Sequence, residues 1–248
     1  MDGAFKIYRD DLLTYLTISA LILCPAYLVQ ACALYAAGAS VGRAQAGRAG
    51  LITAPLTLPV SLGAHALASL VLTVAMVAAL RGDECSVASA FRKSRSRIGA
   101  ALGSEAVFLL GTCAGLACLV VPGVIFGMRR LLNLQAVVVE GKGPLEALRR
   151  SKELCKGDGG RALWPWFFTA LLVGAVSLGF TAAIPGSVPW PVKQLLGMVP
   201  YTVFAPLTPA ILTLSYFDAR IRKEALDLAV EAEEALGGPR LAGTGPGQ

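Results

Sequence analysis

The chain has 248 residues, 55% of them hydrophobic and only 15% charged, with a mean hydropathy of +0.64. A water-soluble domain carries about a quarter charged residues, so an ordinary soluble fold is excluded. The net charge of +6 sits on Lys and Arg that flank apolar runs, which is a membrane-orientation signal and argues against a nucleic-acid partner.

A spanning helix needs about 20 apolar residues. No charge appears from Leu12 to Gly42, from Ala162 to Val192, or from Gln194 to Phe217. Between Ala49 and Leu80 the one ionisable side chain is His65, and between Ile98 and Met128 the one charged side chain is Glu105. These runs predict an all-α polytopic bundle of six transmembrane helices: Leu12–Ala37, Leu56–Leu80, Ile98–Val121, Val124–Val139, Leu163–Ile184 and Leu195–Phe217. The first run is longer than a signal-peptide core and follows Asp10 and Asp11, so it is read as an uncleaved span. The fourth is short and interrupted by Arg129 and Arg130; Pro122-Gly123 is expected to turn the chain into it, and Leu132 to face lipid.

Placing the N-terminus in the cytoplasm puts Lys6, Arg9, Arg81, Arg92, Lys93, Arg95, Arg97, Lys142, Arg149, Arg150, Lys152, Lys156 and Arg161 inside, together with Arg220, Arg222, Lys223 and Arg240. Only Arg43, Arg48 and Lys193 fall outside. This asymmetry predicts both termini in the cytoplasm of a bacterial inner (plasma) membrane. The outer loops are too short for a further domain. Residues 1–236 are therefore read as one integral membrane domain, and the Gly/Pro-rich residues 237–248 as a disordered tail.

The inner loops carry short amphipathic helices. Ala90-Phe91-Arg92-Lys93-Ser94 precedes the third span and Ala147-Leu148-Arg149-Arg150-Ser151 precedes the fifth. Each leads an outward-going span, which suggests a parallel repeat of span, basic helix and span; chance similarity in an apolar chain is the alternative. Pro144 suits a helix start, and Leu145, Leu148 and Leu154 share an apolar face. Ile221, Ala225, Leu228, Ala232 and Leu236 follow a similar spacing after the sixth span.

Gly99, Gly103, Gly111 and Gly115 form a small-residue stripe, continued by Gly123 and Gly127. Such stripes allow close helix packing within the chain or between two copies, so a homo-oligomer or membrane partner stays open. His65, Glu105, Arg129 and Arg130 are the polar residues inside spans. Converging on one cavity they would mark a substrate or proton path; otherwise each is held by its own local partner. Trp164, Trp166 and Trp190 fit interfacial belts. The six cysteines make no C-x-x-C pair, four lie inside spans, and none implies a metal or disulfide. One histidine excludes a multi-His metal site, and no nucleophile elbow, P-loop or HExxH is present, so no enzyme and no cofactor is expected.

Four places carry a resemblance. They are Tyr8-Arg9 ahead of a span containing Pro25; Pro122-Gly123 followed by Arg129; Glu140 followed by Ala147-Leu148-Arg149-Arg150-Ser151, Leu154 and Gly157; and Tyr216-Phe217-Asp218-Ala219-Arg220-Ile221-Arg222-Lys223-Glu224. In these the chain resembles the membrane domain of glycerophosphoryl diester phosphodiesterases and its standalone bacterial relatives. Ala225 stands where that pattern has Gly. The resemblance implies a six-helix membrane fold, and with no catalytic barrel it implies no diesterase activity. The expected function is binding of membrane lipids or a partner, through Arg92, Lys93, Arg149, Arg150, Arg220, Arg222 and Lys223. The alternative is a small transporter or channel subunit that uses the intramembrane polar residues.

Overall fold

Inside a hydrocarbon slab each backbone N–H and C=O must find its partner within the protein, so apolar runs are held to helix. The computed structural model describes residues 11–41, 46–83, 85–157, 159–185, 187–188 and 190–235, and among these residues there is helix and turn but no strand. Five helical stretches are long and apolar enough to cross a membrane: Leu12–Ala33, Thr53–Leu80, Val87–Cys118, Leu163–Ala183 and Leu195–Ala225. The segments expected to form the disordered tail and to carry Arg43 lie outside the described residues.

Helices α1 (Leu12–Val41) and α2 (Ala46–Leu80) form an antiparallel pair. Pro25, Pro55 and Pro59 sit inside them, as membrane helices tolerate when neighbours satisfy the freed carbonyls. Helix α3 (Val87–Ser94) is capped by Ser86, whose hydroxyl accepts from the Ser89 amide at 3.3 Å. A 3-10 turn (Arg95–Arg97) leads into α4 (Ile98–Cys118). The chain turns at Leu119, which is extended (φ −163°, ψ 140°), into α5 (Val120–Arg130).

The turn is therefore not at Pro122-Gly123. Pro122 lies in the first turn of α5, where a missing N–H leaves no helical bond unmade. The expected fourth span is also not one helix. It breaks after α5, and α6 (Asn133–Glu140) follows. Leu132, expected to face lipid, is fully buried. The residues of α6 from Asn133 to Val138 are buried as well, the polar Asn133 and Gln135 among them. Gly141, at φ +67°, closes α6 in the left-handed conformation that glycine adopts without strain.

Helix α7 (Pro144–Leu154) starts on Pro144 as expected and buries Ala147, Leu148, Ser151 and Leu154. Leu145, assigned to that face, is exposed. Ala90 and Ser94 of α3 are buried as Ala147 and Ser151 of α7 are, so the two repeated motifs present equivalent faces. Helix α8 (Gly159–Ala183) is largely exposed, with Trp164, Phe167, Phe168, Leu171 and Leu172 on its surface. The expected sixth span is three pieces: α9 (Trp190–Gly197), α10 (Val199–Phe204) and α11 (Leu207–Ala235). Helix α11 runs unbroken through Phe217, joining the last span to the helix expected beyond it.

The core gathers around the C-terminal half of α2. On one side Leu70, Val74 and Val77 pack with Ala101 of α4, with α6, and with Tyr216 of α11. On the other, Val71, Leu72, Ala75 and Met76 pack with Tyr15, Ile18 and Leu23 of α1 and Ala90 of α3.

Helices α4 and α5–α6 form an antiparallel hairpin whose upper part depends on glycine. A Cβ on Gly115 would lie 2.7 Å from Gly123 Cα, and one on Gly111 would collide with the Phe126 ring, whereas Gly99 has nothing within 4 Å. Close approach of backbones is how membrane helices gain dispersion contact. Gly115→Leu should therefore lower the thermal aggregation temperature in detergent markedly and Gly99→Leu should leave it near the parent's; equal behaviour of the two variants would refute this packing.

Candidate functional site

The break between α5 and α6 leaves backbone groups without helical partners in apolar surroundings. The Ser151 hydroxyl takes two of them, accepting from the Leu132 amide at 3.0 Å and donating to the Arg129 carbonyl at 3.3 Å. Holding Ser151 there orients the residue before it. Arg150 points to the end of α6, where its Nε donates to Glu140 Oε1 at 2.8 Å, and its Nη2 donates to Glu224 Oε1 at 2.7 Å.

Glu140 is fully engaged. Oε1 also accepts from the Tyr216 hydroxyl, and Lys142 Nζ stands 3.4 Å from Oε2. Glu224 is gripped by Arg220, whose Nε lies 2.8 Å from both carboxylate oxygens. Lys223 donates to the carbonyls of Glu153 and, at 2.8 Å, Lys156, closing the end of α7. Arg222 pairs with Asp218 at 2.7 Å. The result is a charged junction that ties α6, α7 and α11 together.

Burial pushes the Glu140 carboxyl up, but hydrogen bonds from Tyr216 and Arg150 outweigh it and hold the group below the usual carboxylate range. Burial alone would lower Arg150, yet its bonds to Glu140 and Glu224 raise it further. Both acids are thus held by cations, Arg150 of the neighbouring helix α7 among them. Burial pushes the Cys155 thiol up, outweighing the hydrogen bond with Ser151 and the charge of Lys223. All six cysteines are free thiols.

The intramembrane residues do not meet. Glu105 accepts from Asn133 Nδ2 at 3.3 Å. His65 Nδ1 donates to the Ser61 carbonyl at 2.8 Å, and its Nε2 shares a hydrogen bond of 3.2 Å with the Tyr27 hydroxyl. Arg130 stacks its guanidinium 3.8 Å above the Phe126 ring, and Arg129 is exposed. A cavity of about 260 Å³ between α1, α2, α8, α10 and α11 is lined by His65, Ser69, Tyr201 and Thr208 amid apolar side chains. Glu105, Arg129 and Arg130 are not among its walls.

The seven expected surface cations divide. Arg150, Arg220, Arg222 and Lys223 are held by acids or carbonyls, as above. Arg149 stands 4.0 Å from Glu153, both well exposed, a pair of little strength. Arg92 and Lys93 are exposed, with no acid against them among the described residues, and Arg95 beside them is exposed too. Sequence reasoning missed Glu140, Tyr216, Glu224 and Ser151 as a unit. The available signal was that the resemblance-bearing segments hold them all. No known protein family, curated protein or solved structure matches the chain.

Two outcomes follow. Ser151→Ala leaves a buried donor and acceptor unpaired, a cost of about 1–3 kcal/mol, and should lower the unfolding midpoint in detergent by several degrees. Ser94→Ala, which removes only a bond to Ala90 of the same helix (2.7 Å), should cost much less. A depressed carboxyl stabilises above its unfolded value of about 4.3 and loses that stabilisation as pH falls through its folded value. The gap in unfolding temperature between the parent and Glu140→Gln should therefore be widest near pH 7 and narrow as pH falls below about 4.3; a pH-independent gap would show that the carboxylate charge is not what holds the junction.

Proposed function

We propose that the chain is a non-enzymatic integral protein of a bacterial inner membrane, with both termini in the cytoplasm, that binds anionic lipid headgroups at its basic face. The observation that carries this reading is the row of exposed cations Arg92, Lys93 and Arg95 on α3 and the turn after it, which face no acid among the described residues. The Lys/Arg asymmetry supports the orientation. Kinship with the membrane domain of glycerophosphoryl diester phosphodiesterases is part of the proposal, on the four motif places alone.

The orientation requires α5–α6 to return the chain to the side that α4 left. Contacts of Gly115 with Gly123, Glu105 with Asn133 and Arg97 with the Val138 carbonyl support that return. Six full crossings satisfy it; so does a hairpin that turns back earlier. The transporter alternative draws no support from side chains that each have a separate environment.

Each basic side chain near an anionic surface contributes about 1 kcal/mol. Arg92→Gln, Lys93→Gln and Arg95→Gln together should weaken binding of phosphatidylglycerol to the detergent-solubilised protein by on the order of 100-fold at low salt. Binding of phosphatidylcholine should not change. Undiminished phosphatidylglycerol binding by the triple variant would sink the proposal.

A further inference from the structure

The α4–α5 hairpin is apolar at its tip and charged at its base. Leu110, Leu116, Leu119, Val120, Val121 and Val124 are exposed around the tip. Arg129 and Arg130 end α5. Helix α5 has 11 residues, about 16 Å at the helical rise, against about 30 Å of hydrocarbon.

A second observation fixes the level of that base. Ser151 bonds to Arg129 and Leu132, so α7 lies directly against the end of α5. Around Ser151, α7 exposes Arg149, Lys152 and Glu153. A helix carrying three exposed charges in one turn does not lie in hydrocarbon. Lys223 reaches the same end of α7 from the charged part of α11 beyond Phe217. The end of α5 is therefore at headgroup level, and what remains above it is half a bilayer deep.

We infer that α4–α5 is a re-entrant wedge that enters one leaflet and turns back at Leu119, with Arg129 and Arg130 forming a collar against lipid phosphates. This rests on the membrane reading above but not on lipid binding by α3. The lower part of α4, from Ile98 to Glu105, then belongs to the packed cytoplasmic end and not to a crossing. Arg130 is held in place by its stack on Phe126, and the exposed Arg129 is the one aimed at solvent and headgroups. Two arginines that would be costly at mid-bilayer become ordinary interfacial anchors.

The test uses the full chain in vesicles, with the six native cysteines replaced and single cysteines introduced by Arg92→Cys, Leu119→Cys, Arg129→Cys and Ser187→Cys. Arg92→Cys and Ser187→Cys report the two aqueous sides through a membrane-impermeant maleimide. Failure of those two to react from opposite sides would refute the membrane reading itself. Given that they do, position 129 should react from the side of position 92, and position 119 should be silent from both sides. A bimane on position 119 should be quenched best by nitroxides at the acyl-chain end, and one on position 129 by headgroup nitroxides. Reaction of position 119 from the side of position 187, or best quenching there by headgroup nitroxides, would overturn the wedge and restore a full crossing.

Discussion

A helix broken inside a protein core exposes backbone groups that neither water nor lipid can satisfy, and the break between α5 and α6 is the constraint around which this molecule is arranged. The hydroxyl of Ser151 meets a donor and an acceptor there, an arrangement possible only if α7 lies against the junction. With α7 in that position Arg150 is carried to Glu140, and Glu140 in turn receives Tyr216 from α11. One small polar side chain thus sets the place of three helices. The energetic logic is asymmetric: the bonds made contribute modestly, but leaving a buried group unmade is expensive.

The long runs were legible because a stretch free of charge over 20 or more residues has few alternatives to a membrane helix. The fourth segment was not. Hydropathy reports that a side chain avoids water and is silent on whether lipid or protein replaces it. Hydropathy assigns Leu132 to lipid, and only the packing of α2, α4, α7 and α11 around it and α6 shows that it belongs to the core. The turn was misplaced for a related reason. Pro-Gly is a turn signal in water, yet Pro within the first turn of a helix loses no bond, so the chain bends at Leu119. On α7, Leu145 followed the apolar spacing but lies beyond the contact area of its neighbours.

Site residues divide the same way. Basic residues can be counted in a sequence, but their partners cannot. Arg150 finds Glu140 ten positions away and Glu224 seventy-four away, and nothing local signals the second. The pairs at four-residue spacing, Arg220 with Glu224 and Arg222 with Asp218, were within reach of helical periodicity. The intramembrane group failed as a constellation because depth alone does not place side chains on facing surfaces: His65 turns to α1 while Glu105 turns to α6.

Charge that is already paired does little at a distance. At the junction of α6, α7 and α11, Lys142, Arg150, Arg220 and Arg222 face Glu140, Glu224 and Asp218. Viewed from beyond a Debye length of about 8 Å, most of that field cancels. The edge formed by Arg92, Lys93 and Arg95 has no such compensation among the described residues. A count of basic residues treats the two repeated motifs alike, since each offers two adjacent cations ahead of a buried serine. Their surroundings separate them: in α7 one cation is spent inside the protein to hold α6 and α11, and in α3 both remain outside it. The same short motif therefore serves cohesion at one place and leaves its charge for the membrane surface at the other.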